Sequence, residues 1–163
     1  MQERNITLAY RLYTYEELSA TDRELVDAAR QATRSSYAPY SRFHVGAAAR
    51  LADGTVVSGS NQENAASPSG LCAERTTLYY ANSRYPDQPV DTLAVAARNG
   101  RGEFVTAPIS PCGACRQVML ETERRFGRPL RILLYGAQGV YELPDVETLL
   151  PFSFDASVME ILK

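Results

Sequence analysis

The three cysteines of this 163-residue chain fall in two short fragments, Gly70-Leu71-Cys72-Ala73-Glu74-Arg75 and Ser110-Pro111-Cys112-Gly113-Ala114-Cys115-Arg116. Each reads as the start of a helix. In the second, Ser110 is a natural N-cap and Pro111 a natural first helical residue. That puts Cys112 and Cys115 in the first turn, three apart and on one face. Cys72 has a similar place, after the turn-forming Ser67-Pro68-Ser69-Gly70. Helix N-termini carry partial positive charge and lower the pKa of nearby thiols, and thiolate is the form that binds metal. Two such helix starts, if they converge, offer three thiolates to one zinc ion. Three protein ligands leave a fourth tetrahedral position for water, which marks a catalytic rather than a structural site. Zinc lowers the pKa of such a water to about 7.

Glu74 stands two residues past a ligand, beside that water without being a ligand itself. It can take the water's proton and pass it to a leaving group. Three thiolates make a net negative cluster that weakens the metal as a Lewis acid. Arg75 and Arg116 follow the cysteines closely, and either could donate hydrogen bonds to sulfur and withdraw charge. Two other uses of these cysteines compete. A Cys-x-x-Cys at a helix start also suits a thioredoxin-like redox pair, which leaves Cys72 and Glu74 without a role. A structural Cys₃His site could recruit His44, the one histidine of the chain, although an isolated histidine beside Phe43 and Val45 is more often a packing or surface residue.

The elements that must hold these residues follow from pattern. Thr21-Asp22-Arg23-Glu24 resembles a capping box with Thr21 as N-cap, and Leu25, Ala28, Ala29 and Ala32 fall at helical spacing, so a helix is expected over about 22–35. Strands are expected at 45–51 and 55–59 around the Asp53-Gly54 hairpin signal. Further strands are expected at 92–98, at 103–109 after the Asn99-Gly100 turn, at 130–135 and at 140–143. Helices fill 72–82, 112–126 and the stretch after Asp155. Helices interleaved with strands make an α/β fold around a mixed sheet. Residues 1–20 stand apart as an N-terminal extension, and 21–163 form a single catalytic domain.

Composition restricts the function classes. An apolar share of 45% and a charged share of 22% are ordinary for a globular protein. The formal net charge of −2 and the lack of clustered Lys and Arg in sequence give no footprint for nucleic acid or an anionic membrane. No apolar run approaches the roughly 20 residues of a membrane helix. The polar, aromatic lead-in does not resemble a secretory signal. Three cysteines make a poor disulfide framework. A cytoplasmic protein with no membrane partner is expected.

Cys-Ala-Glu followed about forty residues later by Pro-Cys-x-x-Cys resembles the signature of the zinc nucleoside and nucleobase deaminases, in its Cys₃ form. The resemblance extends to the cytidine deaminase family. Ser36 to Ala48 is similar to its N-terminal motif, Asn61-Gln62-Glu63-Asn64-Ala65 to its ribose-binding motif, and Leu149-Leu150-Pro151 with Phe154 to its C-terminal signature. These blocks span most of residues 25–155, in order.

The resemblance implies a three-layer αβα cytidine-deaminase-like domain with one zinc per chain. It also implies hydrolytic deamination of cytidine and deoxycytidine to uridine and deoxyuridine, releasing ammonia, as in pyrimidine salvage. Phe43 would contact the pyrimidine, Asn61 and Glu63 the ribose hydroxyls, and the backbone of Ala73 and Ser110 would orient the base. From spacing alone, Asn61 and Glu63 read more readily as ordinary loop residues. The family's small zinc class forms homotetramers with shared active sites, and Phe154 matches the aromatic that reaches a neighbour's site. One departure stands out: Ser67 occupies a place where the family often has Tyr. A pocket enlarged there could admit N4-substituted or otherwise modified cytidines. Outside enzymology, the remaining alternative is a zinc-stapled binding module.

Overall fold

The structure, a computed structural model, describes residues 1–160. Helix α1 (Ala20–Ala32) buries Leu25, Val26, Ala29 and Ala32 on one face, and a 3-10 turn at Thr33–Ser35 extends it. Its cap differs from the sequence expectation. Ser19, not Thr21, is the N-cap, and its Oγ accepts from Asp22 N at 3.1 Å. The earlier start puts Asp22 in the first turn, where its carboxylate accepts from Arg50 at 3.3 Å and from Arg131.

Six strands form one sheet, β1 (Arg11–Tyr13), β2 (His44–Leu51), β3 (Val56–Ser60), β4 (Val90–Arg98), β5 (Arg131–Gly136) and β6 (Gly139–Leu143). Their spatial order is β1-β6-β5-β4-β2-β3. Only β4 and β5 run parallel; helix α3 (Gly113–Phe126) connects them. The sheet is therefore mixed, and five strands lie within two residues of the ranges expected from sequence.

Two differences have physical causes. The run 103–109 does not form a strand: Phe104 makes a single bridge to Arg98, and Val105 and Thr106 turn their carbonyls to Ala137 N and Gln138 N at 2.9 and 3.0 Å. Pro108 has no N–H with which to extend a ladder. Strand β1 has too short a pattern to be legible. It exists because β6 offers an open edge and Glu142 draws Arg11 to 2.9 Å. Within the N-terminal segment, Arg11–Tyr13 are thus built into the sheet and Ser19 into the α1 cap.

Side-chain alternation along the strands separates two cores. Ala47, Ala49, Leu93, Val95, Ile132 and Leu134 face helix α2 (Ala73–Arg84) and α3. Ala48, Ala94, Ala96, Leu133 and Val140 face α1. The result is the three-layer α/β/α arrangement. Small residues in β2 and β4 let the helices approach closely. A Cβ on Gly46 would lie 2.2 Å from Ala29 O, so that crossing admits glycine alone. Beyond the sheet, α4 (Ser157–Glu160) begins the helix expected after Asp155; any continuation over 161–163 lies outside the described residues.

Candidate active site

Cys72 and Cys112 hold equivalent positions. Each is the N-cap of its helix in extended conformation, with φ/ψ of −71°/155° and −67°/164°, and neither uses its side chain to cap. The sulfurs are left free to point away from the helix ends. The start of α3 is therefore two residues later than the Ser110 cap expected from sequence. Arg116 explains the shift: its Nη2 donates to Ser110 Oγ at 3.0 Å and its Nε to Pro111 O at 2.8 Å, so the Ser110 hydroxyl is engaged elsewhere. Cys115 lies in the first turn of α3, fully buried.

The two helix starts converge. Cys72 Sγ lies 3.8 Å from Cys112 Sγ, which lies 3.5 Å from Cys115 Sγ, and all three sulfurs fall within 4.8 Å of one another. Tetrahedral zinc with bonds of about 2.3 Å needs sulfurs about 3.8 Å apart, so this donor set fits the ion in chemistry and in spacing. His44 is not among them; its Nδ1 faces Ser36 Oγ. Among the described residues the metal-ligating cluster is sulfur only, which removes the Cys₃His alternative.

Cys72 and Cys115 are shifted in opposite directions. Hydrogen bonding with Cys115, and with Arg75 and Cys112, outweighs burial and holds the Cys72 thiol down at about 5. Cys115 is pushed up by its hydrogen bond to Cys72, by burial and by the Glu74 charge. Glu74, 4% exposed, has its carboxyl raised by burial first and by the Cys72 charge second. A carboxyl that holds its proton more tightly than an exposed one suits an acid–base role.

The two arginines part company here. Arg75 Nη2 lies 3.8 Å from Cys72 Sγ and 3.5 Å from Gly70 O, a position from which it can withdraw charge from sulfur. Arg116 makes no hydrogen bond to sulfur. Its remaining donor, Nη1, goes to Leu149 O at 2.7 Å, so it ties the Ser110–Pro111 loop to the C-terminal segment. The sequence expectation of a sulfur contact is corrected for Arg116.

Beside the cluster is a cavity of about 440 Å³, whose lining includes Tyr40, Asn61, Glu63, Ser67, Cys72 and Arg75. Three loops knit its wall: Tyr37 N donates to Asn61 O, Glu63 N to Tyr37 O, and Gln62 and Leu71 exchange backbone bonds at 2.8 and 2.9 Å. Glu63 accepts from Tyr40 N at 2.9 Å, from Ser41 N at 3.3 Å and from Ser41 Oγ. The Ser41 and Tyr40 bonds hold its carboxyl below the usual carboxylate range. Asn61 accepts from Val45 N at 2.8 Å and donates to Phe43 O at 3.0 Å. Both residues thus brace the loop that carries Phe43, which is half-buried. Tyr40 and Ser41 lie inside a block singled out in the sequence, but their contact with Glu63 spans more than twenty residues and had no local signal.

The other expected site residues are dispersed in the single chain. Ala73 is buried beneath the cysteines. Ser110 lines a separate, largely apolar cavity of about 340 Å³ with Leu8, Tyr10 and Leu149. Phe154 is 58% exposed, its carbonyl accepting from Gln117 Nε2 at 2.8 Å. No described helix is long and apolar enough to cross a membrane.

Comparison with known proteins agrees with this geometry. Residues 19–126 match the family described as "Cytidine and deoxycytidylate deaminase zinc-binding region". A cytidine deaminase of Halalkalibacterium halodurans is 42% identical over 135 residues, which are 83% of this chain and 95% of that protein. The crystal structure of cytidine deaminase from Burkholderia pseudomallei superposes with a TM-score of 0.66 at 40% identity, covering 80% of this chain and 97% of that one. That from Mycobacterium tuberculosis gives 0.60 at 35%, covering 81% and 95%. The match takes in both cysteine-bearing helices and nearly the whole length of these relatives: this chain belongs to the cytidine deaminase family.

Proposed function

We propose that the protein hydrolytically deaminates cytidine and deoxycytidine to uridine and deoxyuridine, releasing ammonia. The observation that carries this reading is the buried Glu74 carboxyl set beside three converging sulfurs. One zinc ion per chain, held by Cys72, Cys112 and Cys115, supplies activation of the attacking water when bound. Glu74 takes the proton of that water as its oxygen adds to C4 of the pyrimidine. Glu74 passes that proton to N3, then carries the second proton, from the new C4 hydroxyl, to the amino nitrogen; the C4–N bond breaks, C4=O forms and ammonia departs. Burial of Glu74 supports both halves of this cycle, because the neutral acid it must become is the form a dry site favours.

Asn61 and Glu63 meet the ribose hydroxyls, a carboxylate accepting and an amide doing both, and Phe43 packs on the pyrimidine. The backbone of Ala73 and Ser110 orients the base, and Arg75 tempers the sulfur charge. The exposed Phe154 and Phe152 support a homotetramer in which a C-terminal aromatic completes a neighbour's site. The reduced cysteine trio supports a cytoplasmic setting.

Glu74→Gln tests the mechanism. It should retain zinc and lower kcat by about 10²–10⁴-fold; a fully active variant removes Glu74 from the reaction. A second reading is favoured by one observation: Ser67, a small and exposed side chain, lines the cavity. N4-substituted cytidines are then substrates too, and steady-state assays against plain cytidine separate the two.

A further inference from the structure

On the sheet face opposite the cysteines, the end of α1 and the end of β4 enclose a second polar cavity of about 310 Å³. Its lining includes Asp27, Arg30, Thr33, Arg34, Arg98 and Phe104, three guanidinium groups against one carboxylate. The carboxylate is already committed. Asp27 accepts from Arg30 Nη1 at 2.6 Å and from the Tyr15 hydroxyl at 2.7 Å.

Arg30 is held in place by an aromatic cradle, its Cζ 4.9 Å from the Tyr135 ring centre, 5.0 Å from that of Phe104 and 5.5 Å from that of Tyr15. Arg98 spends one donor on Thr33 O at 3.2 Å. Arg34 has no side-chain partner among the described residues, and its side chain is exposed.

Two of these guanidinium groups carry uncompensated donors. The Nε–H of Arg30 and that of Arg98 are enclosed and meet no acceptor. An enclosed donor on a charged group, left unpaired, is costly; these Nε–H groups are shut off from the cavity, so contact with a ligand there falls to the other guanidinium N–H groups. A cavity bordered by cationic donors from two different elements, with one of them pre-positioned by aromatic packing, is suited to a ligand with several acceptor oxygens and negative charge.

We propose that this cavity binds a phosphate-type oxyanion, either the free ion or the monoester of a small metabolite. Arg34 and Arg98 supply the charge-assisted hydrogen bonds, and Arg30 the fixed positive wall. The site is separate from the deamination centre and independent of the reading of that centre. It is also too small a basic patch to serve as a nucleic-acid track.

The test is calorimetric titration of the zinc-loaded protein with inorganic phosphate and with ribose 5-phosphate, at constant ionic strength set by chloride. The variants are Arg34→Gln, Arg98→Gln and, as a charge-matched control on α2, Arg84→Gln. Saturable binding is expected for the unmodified protein and the control, and at least tenfold weaker binding for Arg34→Gln and Arg98→Gln. Tighter binding of inorganic phosphate identifies the free ion as the ligand form, and tighter binding of ribose 5-phosphate identifies the monoester; both support the site. Should Arg98→Gln fail to fold, Arg34→Gln decides. Absence of saturable binding, or equal affinity in Arg34→Gln and the control, overturns the proposal.

Discussion

Arg116 and Arg75 lie at similar places in sequence and do different work, and replacing each by Met separates them. Arg116 donates three hydrogen bonds, to Pro111 O, Leu149 O and Ser110 Oγ, at 2.7–3.0 Å. Hydrogen bonds from a charged group are worth roughly 1.5–3 kcal/mol each when well enclosed. Here the side chain is half-buried, water can replace part of each bond, and the three are not additive. A total loss of about 2–4 kcal/mol is reasonable. For a chain of this size that lowers the melting temperature by roughly 5–12 °C.

The freed Ser110–Pro111 segment lies directly before Cys112 and carries the backbone proposed to orient the pyrimidine. KM for cytidine should therefore rise by about tenfold, corresponding to about 1.4 kcal/mol of lost positioning, with kcat reduced less. Arg75 makes only long contacts, at 3.8 Å to sulfur and 3.5 Å to a carbonyl, and keeps an enclosed Nε without an acceptor. Arg75→Met should lower kcat more than it raises KM and shift melting by only a few degrees. Differential scanning fluorimetry and steady-state deamination measure all three quantities. If Arg116→Met melts within about 2 °C of the parent with unchanged KM, the bracing role assigned to Arg116 is wrong.

Three further outcomes are expected. Cys112→Ser should lose zinc under mild chelation and lose deaminase activity with it, because two sulfurs and a hydroxyl are a much weaker donor set; zinc content equal to the parent contradicts the assignment. Asp22→Asn should cost roughly 2 kcal/mol at pH 7, below the usual cost of breaking a buried ion pair because Arg50 and Arg131 are partly solvated. Burial raises the Asp22 carboxyl, but the Arg131 hydrogen bond and charge, with Ser19 and Arg50, more than offset it and leave its pKa lowered. The stabilisation is thus complete above the unfolded value of about 3.9 and is lost as pH falls through the lower folded value, so urea melts of parent and variant should converge toward pH 3 and stay apart at pH 7. Ser67→Tyr should reduce activity on N4-substituted cytidines more than on cytidine, read as the ratio of kcat/KM; an unchanged ratio removes Ser67 from substrate selection.

Much of the chemistry was legible in the chain because it is local. Cys112 and Cys115 share a helical turn by spacing alone, and Cys72 and Glu74 share another. The two strands flanking Asp53-Gly54 announce themselves through that turn. Even the shared plan of two helix starts facing one ion can be written down without coordinates.

What escaped the sequence depends on partners far away in it. Ser19 displaced Thr21 as the cap because Asp22 is drawn by Arg50 and Arg131, which lie on β2 and β5. Arg116 turned from sulfur to carbonyls because Leu149 arrives from thirty-three residues away. Strand β1 is only three residues long and needs the open edge of β6. The three arginines of the second cavity are scattered over α1, the 3-10 turn and β4, so no charge run betrays them. Spacing along a helix or strand determines which side chains share a face; competition among distant donors and acceptors for the same carboxylate or carbonyl is settled only when the layers pack.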